Sequence, residues 1–494
     1  MADSLGDKPM EADNGMSTLK PPQTGLKLVH LDLKGAPPRV SYLLEILPLL
    51  SHLGADGILL EYEDMFPYEG KLRVLRSPNA YSPSEIKEIL NLARVLHFEV
   101  IPLVQTIGHM EFVLKHKMFS HLREMKGFPN SLIPHKKESM EVVESMIDQI
   151  MAIHKDSKWL HIGSDEVYYL GESEESKQLF ARTETTADSL FLSHVKAVAN
   201  YIVTSYPNVK PIIWDDMLRN INEEKLKESM LSQFVELMIW EYNANLDVDG
   251  MMLQIQKYQH SGFSVMWFAS AFKGATGAAQ SLTPINYHLA NHLQWLKVTE
   301  ALPRDSIQLH GIALTGWQRY DHFSVLCELL PVGLPSLAVC LQALKNGVFS
   351  EKEEDFVKKC LGFKTLRINF ISTEDAGSFP GSDVFNHVTQ IITFMQESID
   401  KLLEENIYIK GWFSNYHRKR KFVHPIIVRH FEGEVRRVHA HWKTAVSELS
   451  AALEKIYYPD TVEEWLEEHV YPNVTKLQLF VKDMDEALAS GHLK

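Results

Sequence analysis

Cysteine is scarce, with Cys327, Cys340 and Cys360 the only three in 494 residues. Three clustered thiols cannot build a disulfide framework, and none has paired metal-ligand spacing, so reduced, buried thiols of a cytosolic type are expected. No apolar run approaches the ~20 residues of a membrane-spanning helix. The first 25 residues are polar and acidic, without the basic start and apolar stretch of a secretory signal. A disordered tail over 1–25 is expected, and a cytoplasmic location. Basic charge is in deficit, with 50 Lys and Arg against 64 Asp and Glu, a formal charge of −14. Such a surface disfavours phosphate backbones and anionic membranes, so neither nucleic acid nor membrane is the expected partner. Nor is there a phosphate loop, because the glycines of Phe272-Lys273-Gly274-Ala275-Thr276-Gly277 lack the spacing and the Lys comes too early. A serine-centred nucleophile elbow is also missing.

What is present is a repeat of short apolar runs, each ending in polar, charged or aromatic residues. The runs are Leu26–Leu33, Gly57–Leu60, Phe98–Val104, Trp159–Ile162, Pro211–Ile213, Phe234–Ile239, Phe263–Met266 and Gly311–Leu314. Continuous apolar runs of this length suit strands covered on both faces, as in parallel sheets. Helical patterns alternate with them. Ser82-Pro83-Ser84-Glu85, for example, opens Ile86–Leu96 with a capping-box signature. Every strand carries its unusual residues at its C-terminal end, the polarity of a (β/α)8 barrel, whereas an open sheet concentrates them at one switch point. The expected fold is an α/β TIM barrel over 26–350, followed by a helical C-terminal module over 378–494. Within that module the amphipathic runs are Val384–Glu405, His424–Tyr457 and Val462–Leu488, which are compatible with a homodimer. The basic run His417–Lys421 reads either as a nuclear address or as a solvated helix face.

The chemistry gathers at the strand ends. Asp165 and Glu166 follow the fourth strand. Neighbours along a strand point to opposite faces, so both enter one pocket only if the chain bends there, which Gly163 and Ser164 permit. A buried carboxyl beside another carboxylate has its pKa raised and becomes a competent general acid. The bland alternative is a helix cap followed by a solvated glutamate. Of nine tryptophans, Trp214, Trp240, Trp267 and Trp317 stand where strands five to eight run out. Together they suggest a platform for the apolar face of a sugar ring. Metal chemistry is the rival, through His30, His109 and His161 with Asp32, Asp215, Asp216 and Glu241. Too few histidines converge for it, and His30 and His161 precede the strand ends and pack in the barrel.

The run His161-Ile162-Gly163-Ser164-Asp165-Glu166 resembles the signature of glycoside hydrolase family 20. Gly108-His109, Trp214-Asp215 and Trp317 agree, over about Leu26 to Pro335. Longer runs are similar to an intracellular branch of that family, among them Tyr62-Glu63-Asp64-Met65-Phe66-Pro67-Tyr68, Gly316-Trp317-Gln318-Arg319-Tyr320-Asp321-His322 and Glu463-Glu464-Trp465. The resemblance implies a retaining exo-β-N-acetylhexosaminidase without metal or cofactor, acting on glycoconjugates with terminal N-acetylhexosamine, GalNAc before GlcNAc. It casts Glu166 as general acid and base, and Asp165 as the residue that orients the substrate's acetamide. His109 supports the acid through Glu63 or Asp64. Trp214 and Trp317 wall the sugar pocket, with Trp240 and Trp267 beside them, and Tyr242 donates to the acetamide oxygen. Asp32, Asp215 and Asp321 join them at the strand ends. Lys34 stands nearest to where much of the family has a hydroxyl-binding Arg, and Trp317-Gln318-Arg319 replaces a common Trp-x-Glu. The family's usual N-terminal α+β domain is missing. Two alternatives stay open: a related substrate-assisted hexosaminidase using Asp215 and Asp216 as its pair, and a catalytically silent glycan-binding barrel.

Overall fold

The computed structural model describes residues 23–366, 368 and 376–490. Most of the tail expected over 1–25 therefore lies outside the described residues. The strands are β1 (Leu26–Asp32), β2 (Gly57–Glu61), β3 (Glu99–Leu103), β4 (Arg123–Met125), β5 (Phe128–Leu132), β6 (Trp159–His161), β7 (Lys210–Trp214), β8 (Glu236–Trp240), β9 (Val265–Lys273) and β10 (Gln308–Gly316). Eight of them close into a parallel barrel in the order β1-β10-β9-β8-β7-β6-β3-β2. β4 and β5 form a separate antiparallel pair, inserted where the chain leaves β3.

The helices that cover the barrel form where the sequence supplies caps and an apolar stripe. Helix Pro83–Val95 opens with the expected capping box, Ser82 Oγ accepting from the Glu85 backbone and Glu85 from that of Ser82. Inside the barrel Leu28, Leu59, Ile101, Met238, Ala269 and Ala313 pack into a second, separate core. His30 and His161 are fully buried there, as expected. His30 Nε2 donates to Glu61 Oε2 at 2.8 Å, and His161 lies 4.4 Å from the Trp214 ring.

The C-terminal region is helical, though its helices divide differently from the expected runs. The last run splits into Pro459–His469 and Tyr471–Ala489 because Pro472 starts a new helix rather than continuing the old one. The basic run forms the short helix Asn415–Lys419 and its C-terminal cap, with Arg418 paired to Asp483 and Lys421 to Glu486. Among the described residues, no helix is long and apolar enough to cross a membrane.

Candidate active site

A cavity of about 450 Å³ opens at the C-terminal mouth of the barrel. Its lining includes Lys34, Glu61, Gln105, His109, Asp165, Glu166, Trp214, Trp240, Tyr242, Trp317, Arg319 and Tyr320. Eight of the thirteen residues singled out from sequence thus converge, from six different strand ends.

The acidic pair gets there by the expected bend. After β6 the chain turns left-handed at Gly163 (φ 62°), Ser164 (φ 73°) and Glu166 (φ 44°), with His109 (φ 49°) opposite. Such conformations cost about 1–3 kcal/mol each for residues with a side chain, and they persist where function needs them. A Cβ at Gly163 would stand 1.9 Å from Gln105 Oε1, so a larger residue there displaces the Gln105 amide. Gln105 Nε2 in turn donates to Asp165 Oδ1 at 3.0 Å. His109 Nε2 donates to Glu166 Oε2 at 3.1 Å and lies 3.5 Å from Asp165 Oδ2. Asp216 holds the far side of the bend, accepting from the Glu166 backbone N–H at 2.9 Å and from Trp240 Nε1 at 3.2 Å.

The electrostatics separate the two acids. Burial lifts Asp165 above the usual carboxylate range, partly offset by His109 and the Gln105 hydrogen bond. Glu166 behaves differently from the raised acid expected: burial pushes it up, but hydrogen bonds from His109, Tyr168 and Tyr320 outweigh that and leave it lowered. Burial opposes a charge on His109, yet Asp165, Glu166 and Glu111 together raise it to about 10. The shared proton of the resting site therefore sits on the imidazole. Burial and the charge of Asp165 push Asp216 up to about 7.

Aromatic walls and two cations complete the cavity. Trp240 stacks on Tyr242 at 5.1 Å, and Trp214 and Trp317 meet at 6.0 Å. Lys34 Nζ donates to Asp32 Oδ2 at 3.0 Å and lies 4.9 Å over the Trp317 ring. Arg319 is held by Glu464 from the C-terminal region.

Five expectations are corrected. Trp267 is not at the mouth: β9 begins two residues before it and runs six beyond, so its ring is buried at the opposite end, donating to Glu236 at 2.7 Å. Asp215 is fully buried and spent, accepting from Arg219 at 2.8 and 2.9 Å and from Tyr258 at 2.8 Å. It cannot be half of a catalytic pair. Asp32 lies behind Lys34 and takes the Gln318 backbone N–H at 2.9 Å. Glu63 binds His322 at 3.0 Å rather than His109, while Asp64 accepts from the Gly35 backbone. Asp321 closes a turn by accepting from the Phe323 and Ser324 backbones. Glu63, Asp64 and His322 bring ligand atoms within 4.8 Å of one another, but both His322 nitrogens are engaged, by Glu63 and by Lys115.

Sequence reasoning missed Gln105, Glu61, Arg319 and Tyr320 as site residues. Tyr320 and Arg319 lay within a run whose tryptophan was noticed, and Gln105 at a strand end already marked. The partnership of Tyr320 with Tyr168, 152 positions apart, left no local signal.

The chain is similar to known proteins in both sequence and fold. The family model for the glycosyl hydrolase family 20 catalytic domain matches residues 41–317. Hexosaminidase D of Homo sapiens is 54% identical over 94% of this chain and 95% of its own. Hexosaminidase D of Bos taurus is 60% identical over 69% of this chain and 98% of its own. In fold, the chain is similar to an exo-β-N-acetylglucosaminidase of Vibrio harveyi, with TM-score 0.51 and 14% identity over 70% of this chain and 60% of that one. Matched by the family model across the barrel and by a majority-identical relative over nearly its whole length, this chain belongs to glycosyl hydrolase family 20.

Proposed function

We propose that the chain is a retaining exo-β-N-acetylhexosaminidase that releases terminal β-linked GalNAc, and more weakly GlcNAc, by substrate-assisted catalysis. One observation carries the reading: a buried carboxylate and a mouth-facing carboxyl share one histidine, in a tryptophan-walled cavity of about 450 Å³. Family 20 is among the exceptions to the scheme in which two enzyme carboxyls do all the work.

The terminal sugar fills the cavity with its acetamide toward Asp165 and Tyr242. As the substrate strips water from Glu166, its carboxyl pKa rises, and the proton on His109 Nε2 lies within one hydrogen bond. Glu166 passes that proton to the glycosidic oxygen while the acetamide oxygen attacks the anomeric carbon. The bond to the leaving group breaks and an oxazolinium ion forms. An internal nucleophile gains from proximity, and the Asp165 anion stabilises the cation beside it. Glu166 then takes a proton from water attacking the same carbon, and the acetamide is restored with retained configuration. The galactosaminide preference rests on the resemblance of the long runs to the intracellular branch of the family; Lys34 and Glu61 line the pocket here, Lys34 nearest to where much of that family has an Arg. Three cysteines without disulfide partners suit a cytoplasmic enzyme.

The test is nitrophenol release from the β-GalNAc and β-GlcNAc glycosides near pH 6, for wild type and Glu166→Gln. The expected result is turnover of both by wild type, with a loss of ~100-fold or more in the variant. Wild-type rates in the variant would overturn the assignment. Binding without turnover by wild type would make the chain a glycan-binding barrel.

A further inference from the structure

Two large aromatic side chains stand in solvent directly above the candidate acid. Tyr168 is 39% exposed and Tyr320 is 54% exposed. Their hydroxyls meet at 3.1 Å, and that of Tyr320 donates to Glu166 Oε1 at 3.3 Å. Apolar ring area left in water is ordinary for a single residue, but here the two rings come from separate loops and meet beside the Glu166 carboxyl.

Both are held in place by structure outside the barrel strands. Behind Tyr168 lies the β4–β5 hairpin: its backbone N–H donates to Asn130 Oδ1 at 3.2 Å, and its carbonyl accepts from Ser131 Oγ at 3.1 Å. Phe128 backs it at 6.5 Å between ring centroids. Tyr320 sits between Arg319, which is clamped by Glu464, and the Asp321 turn. The hairpin and the C-terminal region thus each fix one ring of the pair.

Glu166 has two oxygens, and they face different ways. Oε2 meets His109 on the cavity side, while Oε1 meets Tyr320 at the rim. If Glu166 is the acid, as the proposed function has it, the glycosidic oxygen must approach this carboxyl. With the terminal sugar inside the cavity, the rest of the substrate leaves past Oε1 and over the tyrosines. We infer that Tyr168 and Tyr320 form the binding platform for the leaving group, and that its occupant is a pyranose ring. A pyranose has an apolar C–H face suited to a tyrosine ring and hydroxyls suited to the phenol oxygens. The enzyme is therefore built for saccharide leaving groups rather than small or flexible alcohols.

The experiment compares two substrates that need the acid equally: a β-GalNAc–galactose disaccharide and methyl β-GalNAc. In Tyr168→Ala the ratio of kcat/KM for disaccharide over methyl glycoside should fall roughly fivefold to tenfold, the size of a lost ring contact. Tyr168→Phe keeps the ring and should restore the ratio. A ratio unchanged in Tyr168→Ala overturns the platform, and so does an equal loss on both substrates, which marks an effect on Glu166 alone. Thermal melts of each variant establish the folded fraction. The acid assignment is read separately, from Glu166→Gln on the dinitrophenyl and methyl glycosides. A loss far larger on the methyl glycoside supports the acid; equal losses overturn that assignment whatever the tyrosines do.

Discussion

Both ends of this barrel carry a carboxylate, tryptophans and a histidine, and only one end is an active-site candidate. At the N-terminal end Glu236 Oε2 accepts from Trp267 Nε1 at 2.7 Å, His310 Nδ1 at 3.0 Å and Trp159 Nε1 at 3.1 Å. The rings stand edge-on to one another, with Trp159 and Trp267 5.4 Å apart, and they close the barrel. At the C-terminal end three donors are spread over three of the four carboxylate oxygens of Asp165 and Glu166, beside open space. Residue type alone does not make a site. A carboxylate oxygen that gathers three N–H donors between packed rings is a structural clamp; a pair of carboxyls with lone pairs facing a cavity can do chemistry.

The sharpest way to break this comparison is to neutralise one carboxylate at each end. Asp165→Asn should lower kcat about 100- to 1,000-fold, the usual effect of losing one electrostatic stabiliser of a charged intermediate. Its melting temperature should stay near that of wild type, because the amide can still accept from Gln105 and removing a charge that burial disfavours offsets the lost attraction to His109. If kcat falls less than tenfold, the oxazolinium is not stabilised here.

Glu236→Ala should do the reverse. It strands three buried or half-buried donors, at a cost of about 3 kcal/mol in denaturant unfolding. Once corrected for the folded fraction, kcat/KM should stay within about twofold of wild type. A catalytic loss without a stability loss would mean that the two ends are coupled.

This contrast also explains what could be read in advance. The alternation of apolar runs and the polarity of their ends specify a barrel, because a buried parallel strand must be apolar and its C-terminal loop need not be. The bend at Gly163-Ser164 was legible for the same reason: adjacent acids in one pocket demand it. Trp267 misled because Val265–Phe272 is apolar and small-residue throughout, so nothing in the run marks where β9 ends. Asp215 misled because its partners are Arg219, one helical turn on, and Tyr258, 43 positions away. Whether an acid is spent depends on tertiary donors, and pattern does not carry that.

Charge state offers a third, smaller contrast. His109 in the folded protein holds its proton up to about pH 10, against an ordinary value of 6.5. A group raised in this way contributes stability that is complete below pH 6.5 and lost as pH rises through 10. The melting-temperature gap between wild type and His109→Gln should therefore be widest near pH 6 and narrow steadily toward pH 10. A gap that widens with pH would show that the imidazole is neutral in the resting site.

The smallest effect concerns how the mouth is kept in shape from outside the barrel. Helix Pro459–His469 reaches the loop after β10, where Glu464 receives both Arg319 N–H groups and the Leu326 backbone N–H. Trp465 and His469 on the same helix donate to the carbonyls of Cys327 and Leu326. Arg319 lines the cavity and precedes Tyr320, so loosening Glu464 frees one wall of the pocket without touching either acid. The Glu464 side chain is 31% exposed, and water can replace part of the interaction, which keeps the stability cost small. Glu464→Gln should thus lower kcat/KM on the order of tenfold or less, mainly through KM, because it blurs position rather than removing chemistry. The N-terminal clamp has no such outside brace among the contacts described: its donors come from the strands themselves. If Glu464→Gln shifts the melting temperature but leaves KM alone, the C-terminal helices serve stability only, and the mouth is as self-supporting as the opposite end.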